Sequence, residues 1–457
     1  MQDTRSIGSA LALVALVAIF ACVIGVSRCS DRSTRRARER GVAEAPSPEI
    51  RERPRTEIVP PDPAQARRRR ADVPLSVVAL LGWTVPKVRL PPPPTERPTV
   101  PVRWPDELGG RREYPDRIGL RAALAAGRYA DLTRWIEAWQ RDFERDVRDE
   151  VMVTTAIDAF ATADPSVTAQ LDAWVAATPA SWVPYAARAQ FRTAVAVALR
   201  GGDFAANTAG YRMTAMERSF FFAREDITRA LSIEPRAIAP QVTAIEVALY
   251  SGGDEVHAAF ARTSQRCPLC VDPSLVYSSA MLPQWGGSAE AFAEFARRPR
   301  DVASNPRLRS LYGLADGHSC GLAADNGAND DAIAACTRAL AAGPLTGHYR
   351  RRARAYRQSN RSAEAERDLQ SALSIDPHAT PVLELLSTVL GDLRRYEDGA
   401  RVFLTLVRLE PAEQHRAEVL HWWLGRLRAE VTRLRLDGRS ADAERHERLL
   451  DELTPIE

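Results

Sequence analysis

The sequence has almost no lysine and lacks the short motifs that define the commonest catalytic sites. Lys87 is the only lysine among 62 basic residues, so arginine carries nearly all the positive charge. A Walker phosphate loop, a GxSxG elbow, an HExxH zinc motif and the protein kinase motifs are all missing. Their absence excludes the enzyme classes that those motifs define. We expect a protein without enzymatic activity, without a cofactor and without a small-molecule substrate.

Excess charge of one sign and long apolar runs are scarce as well. The 62 basic residues are nearly balanced by 59 acidic ones, and the net charge of +3 gives no reason to expect a nucleic acid partner. Only one uncharged run reaches the ~20 residues of a membrane-spanning helix, from Ile7 to Val26, which excludes a polytopic membrane protein. A hydrophobic share of 45% excludes disorder over the full length.

The single apolar run predicts a membrane anchor. Its 20 residues, as a helix rising about 1.5 Å per residue, cross the ~30 Å hydrocarbon core of a bilayer. We predict a short tail at residues 1–6 and a transmembrane helix at 7–27 that binds the lipid bilayer. A cleaved signal peptide is the alternative, although its apolar core would be shorter and its leader more basic.

Arginines after the run predict its orientation. Residues 28–70 hold 13 arginines against 7 acidic residues, whereas only Arg5 precedes the run. By the positive-inside rule, we expect a single-pass protein of a bacterial inner membrane whose folded part lies in the cytoplasm. The periplasm is the alternative, because a proline-rich stalk suits an envelope-spanning protein and because the cysteines occur in pairs.

Proline and arginine dominate residues 28–105. Runs such as Pro91–Pro94 fix the backbone and remove hydrogen-bond donors, so we predict a stalk that is mostly disordered. One apolar segment, Leu75–Val85, interrupts it and is too short to span a bilayer. This segment either docks on the folded part of the chain or lies at the membrane surface.

Beyond the stalk, apolar residues recur at helical spacing. Leu132, Trp135, Ile136 and Trp139 are one example, and no alternating strand pattern persists over any length. The sequence therefore predicts an all-α fold. We divide it into a helical domain of irregular repeats at 106–300 and a repeat domain at 301–457 that ends in capping helices.

Internal repeats indicate the architecture. Ala372–Pro377 echoes Ala230–Pro235, and Pro377 lies 34 residues before Pro411. Before Pro377, small residues occupy the positions at which two antiparallel helices would approach closely, and bulky residues occupy the positions that would fill the space between the helices. The predicted packing positions are Tyr349, Ala353, Tyr356, Ala365, Leu369, Ala372, Pro377 and Pro411. This pattern resembles the tetratricopeptide repeat, which implies a right-handed solenoid of helix pairs and a scaffold for protein partners.

The irregular region has landmarks of its own. They are Trp174, the segment Trp182–Arg188 and the segment Leu282–Ser288. With these landmarks, residues 115–300 resemble an uncharacterised bacterial domain that commonly precedes tetratricopeptide repeats in envelope-associated proteins. The resemblance implies a helical fold and no particular activity.

Three arginines form the candidate binding site. Arg350, Arg354 and Arg357 follow the i, i+4, i+7 spacing of one helix face. In tetratricopeptide repeats this face of the first helix lines the concave groove, and arginine forks bind carboxylates in bidentate geometry. We therefore predict a groove for an acidic segment or C-terminus of a protein partner, with Arg351 and Arg352 facing elsewhere. A solvated helix face is the alternative.

The cysteines give an alternative function. Cys267 and Cys270 have the spacing of redox and metal sites, and His318, Cys320 and Cys336 could complete a zinc site. A metal- or thiol-dependent module would then be built around Cys267, Cys270, His318 and Cys320. Two local disulfides would require an oxidising compartment. We favour buried thiols that pack as small hydrophobic groups, with no bound metal.

Overall fold

The computed structural model describes residues 76–202 and 207–454. The tail at 1–6, the transmembrane helix predicted at 7–27 and the stalk up to residue 75 lie outside the described residues. Of the helices in the two described ranges, none combines the length and the apolar character needed to cross a membrane.

The described residues form an all-α fold, as the sequence predicts, with one small addition. A two-stranded antiparallel ribbon pairs β1 (Thr99–Pro101) with β2 (Glu113–Pro115), Thr99 opposite Pro115. The helices in these ranges are α1 (Val77–Leu81), α2 (Arg117–Ala125), α3 (Tyr129–Arg145), α4 (Glu150–Asp158), α5 (Val167–Ala177), α6 (Val183–Arg200), α7 (Gly210–Ile233), α8 (Ile238–Ser251), α9 (Asp254–Arg266), α10 (Asp272–Ser278), α11 (Ala289–Arg297), α12 (Leu314–Asp325), α13 (Asn329–Ala342), α14 (Thr346–Gln358), α15 (Ser362–Ile375), α16 (Thr380–Asp392), α17 (Tyr396–Leu409), α18 (Arg416–Leu436) and α19 (Ser440–Leu453).

Apolar spacing sets the buried face of the helices. In α3, Leu132, Trp135, Ile136 and Trp139 are all at most 4% exposed. Residues three and four apart share one side of a helix, so these four side chains enter the core together while the opposite face carries charge. The interpretation of this segment as an amphipathic helix is confirmed.

The C-terminal helices pack as antiparallel pairs. The pairs are α12 with α13, α14 with α15, α16 with α17 and α18 with α19. The first helices α12, α14 and α16 also contact one another in sequence. Because α14 and α16 begin 34 residues apart, as do α15 and α17, the geometry is that of tetratricopeptide-like repeats.

Small residues let the paired helices approach. Ala353 on α14 and Ala365 and Ala372 on α15 are fully buried with Leu369, and Tyr349 and Tyr356 pack around this cluster. Helix α15 ends at Ile375 and α17 at Leu409, each two residues before the prolines Pro377 and Pro411. Proline disfavours helix in the residue before it, so each one follows the end of a repeat.

Helix α18 is longer than the other first helices and inserts an indole into the core. Trp423 is 2% exposed and packs against Phe403 on α17. A Cβ on Gly399 would lie 2.3 Å from Cη2 of Trp423. Gly399 lies 34 residues after Ala365 of the preceding pair, and the absence of a side chain there makes room for the indole.

The predicted boundary between a disordered stalk and a folded domain at residue 106 is wrong. Val77 is fully buried, and α1 packs on α6, so the apolar segment docks on the folded part. Trp104 donates its Nε1 proton to the carbonyl of Ile375 at 2.7 Å, and the amide of Arg103 donates to the carbonyl of Ser374 at 2.8 Å. Proline prevents helix in this segment but leaves an extended chain free to pack.

The predicted division at residue 300 does not separate two compact units. The described residues 76–201 and 208–454 fall in one unit. Contacts cross the division directly: Arg117 on α2 forms an ion pair with Asp376 at 3.1 Å, and Arg121 donates to the carbonyl of Arg408 at 3.1 Å. The ends of these helices carry the polar groups that join the irregular region to the repeats.

Candidate functional site

The three predicted groove arginines lie on α14, between the first helices of the neighbouring pairs. Arg354 contacts Asp325 at the end of α12, and Arg357 contacts Asp392 at the end of α16. Arg354 and Arg357 therefore reach to opposite sides of α14, along the row of helices α12, α14 and α16. The spacing in the sequence placed these side chains on one row of helices, as the helical period requires.

Two of the three arginines already have carboxylate partners in the same chain. Arg357 Nε lies 2.6 Å from Asp392, with both side chains well exposed, and Arg354 pairs with the less exposed Asp325. An exposed pair such as Arg357–Asp392 contributes only about 0–1 kcal/mol and opens readily. A ligand would have to displace or share these carboxylates in order to bind Arg354 or Arg357, which is not the case at Arg350.

Arg350 has no hydrogen bond or ion pair within the described residues. It is half-buried, and Glu384 on α16, the acid that acts on it most strongly, forms an ion pair with Arg416 at 3.5 Å. Burial lowers the pKa of Arg350, and the positive charge of Arg354 lowers it further. A guanidinium in this environment lacks the carboxylate that would compensate its lost hydration.

Arg351 belongs to the site, although the sequence interpretation placed it elsewhere. It too makes no ion pair in the described part of the chain, and burial together with Arg350 and Arg354 lowers its pKa to about 10. Arg352 does face away, since it forms a bidentate pair with Asp368 on α15 at 2.7 Å. The signal for Arg351 was present: it precedes Arg354 by three residues, which puts both on adjacent positions of one face.

We call Arg350, Arg351 and Arg354 the arginine cluster. The three guanidiniums repel one another, and Asp325 supplies the one ion-paired carboxylate among them. A carboxylate that enters between Arg350 and Arg351 would accept charge-assisted hydrogen bonds and relieve this repulsion. The arrangement can therefore bind an anion, and no acid–base pair converges on it within the described residues.

The structure contradicts both the buried-thiol interpretation and the metal alternative. Cys267 is bonded to Cys270, and Cys320 on α12 is bonded to Cys336 on α13. The two pairs do not combine, and His318 instead packs edge-on against Phe292. Among the described residues, no group of three or more potential ligands could hold a metal ion. Cys320 and Cys336 meet because they face each other across one antiparallel helix pair.

Comparison with known proteins identifies one similar family. A family described as a domain of unknown function (DUF4034) matches residues 116–253. This stretch lies inside the region 115–300 for which the sequence suggested a bacterial helical domain. Comparison with curated proteins finds no significant match.

Three solved structures are similar at low identity. The anaphase-promoting complex hetero-tetramer Cut9–Hcn1 shares 11% identity over 67% of this chain and 56% of its own, with a TM-score of 0.30. The tetratricopeptide domain of P58(IPK) shares 12% over 68% and 97%, with a TM-score of 0.24. Yeast Tom70 shares 10% over 83% and 74%, with a TM-score of 0.27. The chain spans just over half the length of the Cut9–Hcn1 chain it matches.

Proposed function

We propose that the protein is a membrane-anchored scaffold without catalytic activity, whose helical repeats bind an acidic segment of a partner protein at the arginine cluster. The observation that carries this proposal is the pair of half-buried guanidiniums of Arg350 and Arg351, which lack ion-pair partners within the described residues. Elsewhere in the repeats, arginines of similar burial such as Arg352 have a carboxylate in place.

The chemistry of the cluster favours a carboxylate ligand. Guanidinium forks match the two oxygens of a carboxylate, and charge-assisted hydrogen bonds contribute about 1.5–3 kcal/mol each when well formed. The contact of α12, α14 and α16 in one row supplies a surface longer than a single side chain. An extended acidic segment or a C-terminus fits such a row better than an isolated small anion does.

We propose further that this scaffold faces an oxidising compartment, which is the periplasmic alternative of the sequence analysis. The disulfides Cys267–Cys270 and Cys320–Cys336 support this location, because disulfides persist in the periplasm and are rare in the cytosol. The apolar run at 7–26 supports the anchor in the bilayer. A reporter fused after Glu457 should then be active only if it works in the periplasm; activity of a cytoplasm-dependent reporter would contradict the proposal.

A peptide-display selection on the immobilised full chain tests the binding site. Peptides rich in aspartate and glutamate, or ending in an acidic C-terminus, should be enriched on the wild type and lost on the double variant Arg350→Gln, Arg351→Gln. The matched control is Arg428→Gln on α18, an exposed arginine outside the row. Equal enrichment on the double variant and the wild type would contradict the proposed site.

A further inference from the structure

A cavity of about 610 Å³ lies away from the arginine cluster, among the helices of the irregular region. Side chains from α2, α4, α6, α8 and α10 line it, together with residues at the start of α16 and the end of α17. Ile157, Leu249, Leu275 and Val276 form apolar parts of its wall. Its volume is within the range of about 300–1,000 Å³ that is typical of small-ligand sites.

Two carboxylates from different helices meet in this cavity. Asp158 is the last residue of α4, Glu246 lies within α8, and both interact with the side-chain amide of Gln190 on α6. Gln190 donates its Nε2 proton to Asp158 at 3.2 Å, while its Oε1 accepts from the hydroxyl of Thr243 at 2.8 Å. The threonine fixes the orientation of the amide, so that its donor end faces the acids.

Neither carboxylate has an ion-pair partner within the described residues. Two more deeply buried acids do have partners: Glu150 pairs with Arg307 at 3.3 Å, and Asp226 pairs with Arg188 and Arg192 at 2.8 and 2.6 Å. The partly buried Asp158 and Glu246 have none, and they line the same cavity, as does a third acid without an ion pair, Glu410.

The surroundings disfavour two negative charges in this place. Burial raises the pKa of Asp158, the charge of Arg117 lowers it and that of Glu246 raises it, which gives a pKa of about 7. Burial also raises the pKa of Glu246. Asp158 stands in addition at the C-terminal end of α4, where the helix dipole is negative. A positive charge placed between the two acids would offset their mutual repulsion and the negative end of the helix dipole.

The arginines that line the cavity are bound to other groups, although the charge of Arg117 acts on Asp158 from a distance and lowers its pKa. Arg117 is paired with Asp376 at 3.1 Å. Arg121 donates Nε to the carbonyl of Ala159 at 2.6 Å and Nη1 to the carbonyl of Arg408 at 3.1 Å. The arginines of the cavity are thus held by other groups, whereas three of its acids, Asp158, Glu246 and Glu410, form no ion pair within the described residues.

We propose that this cavity binds an organic cation, a primary ammonium or guanidinium group on a short apolar stem, with the charge between Asp158 and Glu246 and the stem against Leu249, Leu275 and Val276. The site is independent of the arginine cluster and takes a ligand of opposite charge. Two sources can present this chemistry, a free amine or the basic side chain of a peptide, and the choice of probes separates them.

Calorimetric titration of the full chain tests the site with four probes. Pentylamine represents a free amine, and a blocked Gly-Lys-Gly peptide represents a basic side chain; pentanoate, with a similar stem and the opposite charge, and Ca²⁺ are the contrasts. We expect saturable binding of at least one of the two amines and none of pentanoate or Ca²⁺. Binding of pentylamine alone identifies a free amine, whereas tighter binding of the peptide identifies a side chain. Absence of binding by both amines, or binding of Ca²⁺ in their place, overturns the proposal.

Isosteric variants separate loss of the site from loss of the fold. Asp158→Asn and Glu246→Gln should each weaken amine binding about tenfold or more, because each leaves a buried cation with one fewer carboxylate. Both variants remove an unfavourable buried charge, so thermal unfolding should occur at the same or a higher temperature. Glu255→Gln, an exposed acid on α9, is the matched control and should bind as the wild type does. Unchanged affinity in both cavity variants would overturn the proposal.

Discussion

Replacement of Gly399 by alanine should destabilise the protein, although alanine occupies the equivalent position of the preceding repeat, Ala365. In the interior of α17, alanine gains about 0.5–1 kcal/mol over glycine through backbone entropy. Its Cβ would lie 2.3 Å from Cη2 of Trp423 and 3.1 Å from Cζ2 and Cζ3. The indole cannot move away easily, because it is buried against Phe403 and edge-on to Trp422 at 4.7 Å. Overpacking of this kind costs about 1–3 kcal/mol, and a clash with a ring that cannot move is expected in the upper part of that range, so the net loss is up to about 2.5 kcal/mol.

Urea denaturation followed by far-ultraviolet circular dichroism measures this effect, and a second background isolates its cause. In a Trp423→Leu protein the clash is absent, so Gly399→Ala should stabilise by about 0.5–1 kcal/mol. Gly425→Ala on α18 is the matched control, since nothing lies within 4 Å of its added Cβ, and it should stabilise in both backgrounds. If Gly399→Ala stabilises the wild type, or has the same effect with and without the indole, the reasoning is refuted.

Three further predictions concern the disulfide, the cavity and the buried ion pair. Cys320→Ser with Cys336→Ser should lower the free energy of unfolding by about 3 kcal/mol in urea titrations without reductant, because the bond closes a loop of about 16 residues; equal stability of variant and wild type would show that the bond is not formed. The pKa of Asp158 is raised to about 7 in the folded protein, compared with 3.8 for a free aspartate. Between about pH 4 and pH 7 the folded state therefore holds a proton that the unfolded state has lost, and the free energy of unfolding should decline as pH rises through this range. Asp158→Asn should remove this decline and be more stable than the wild type by about 2 kcal/mol at pH 8. This is about half of the free energy that corresponds to the whole pKa shift, because water in the cavity screens the charge. An unchanged pH profile would argue against a buried charge there. Arg307→Met should cost about 3–5 kcal/mol in the same titrations by leaving Glu150 without a cation, and a loss under 1 kcal/mol would show that the pair is not required.

Features with a local periodic signal could be predicted from the sequence. The buried face of α3 follows from the spacing of its apolar residues, and the helix pairs from α14 to α17 follow from a 34-residue repeat of small residues and prolines. Both signals depend on helix geometry alone. The placement of Arg354 and Arg357 on one row of helices has the same origin.

Features that depend on distant parts of the chain gave no such signal. The segment that includes Trp104 was assigned to the stalk, because its proline content reports backbone conformation and does not reveal that Ile375 would accept its hydrogen bond. The pairing of Cys320 with Cys336 depends on which faces of α12 and α13 meet, and the sequence does not give that orientation. Asp158 and Glu246 come from helices 88 residues apart and carry no motif in common.

The affinity of the arginine cluster for an acidic peptide decides whether these residues form the proposed binding site. An acidic peptide from the display selection is titrated calorimetrically into the full chain and into the double variant Arg350→Gln, Arg351→Gln. We expect the double variant to bind the peptide about tenfold or more weakly than the wild type does. Added salt should weaken binding to the wild type, because charges about 10 Å apart are screened at 0.1 M. Glutamine retains helix propensity, so the unfolding temperature should change little. Equal affinity of the variant and the wild type, or a loss of affinity no greater than that of Arg428→Gln, would show that the arginine cluster is not the binding site.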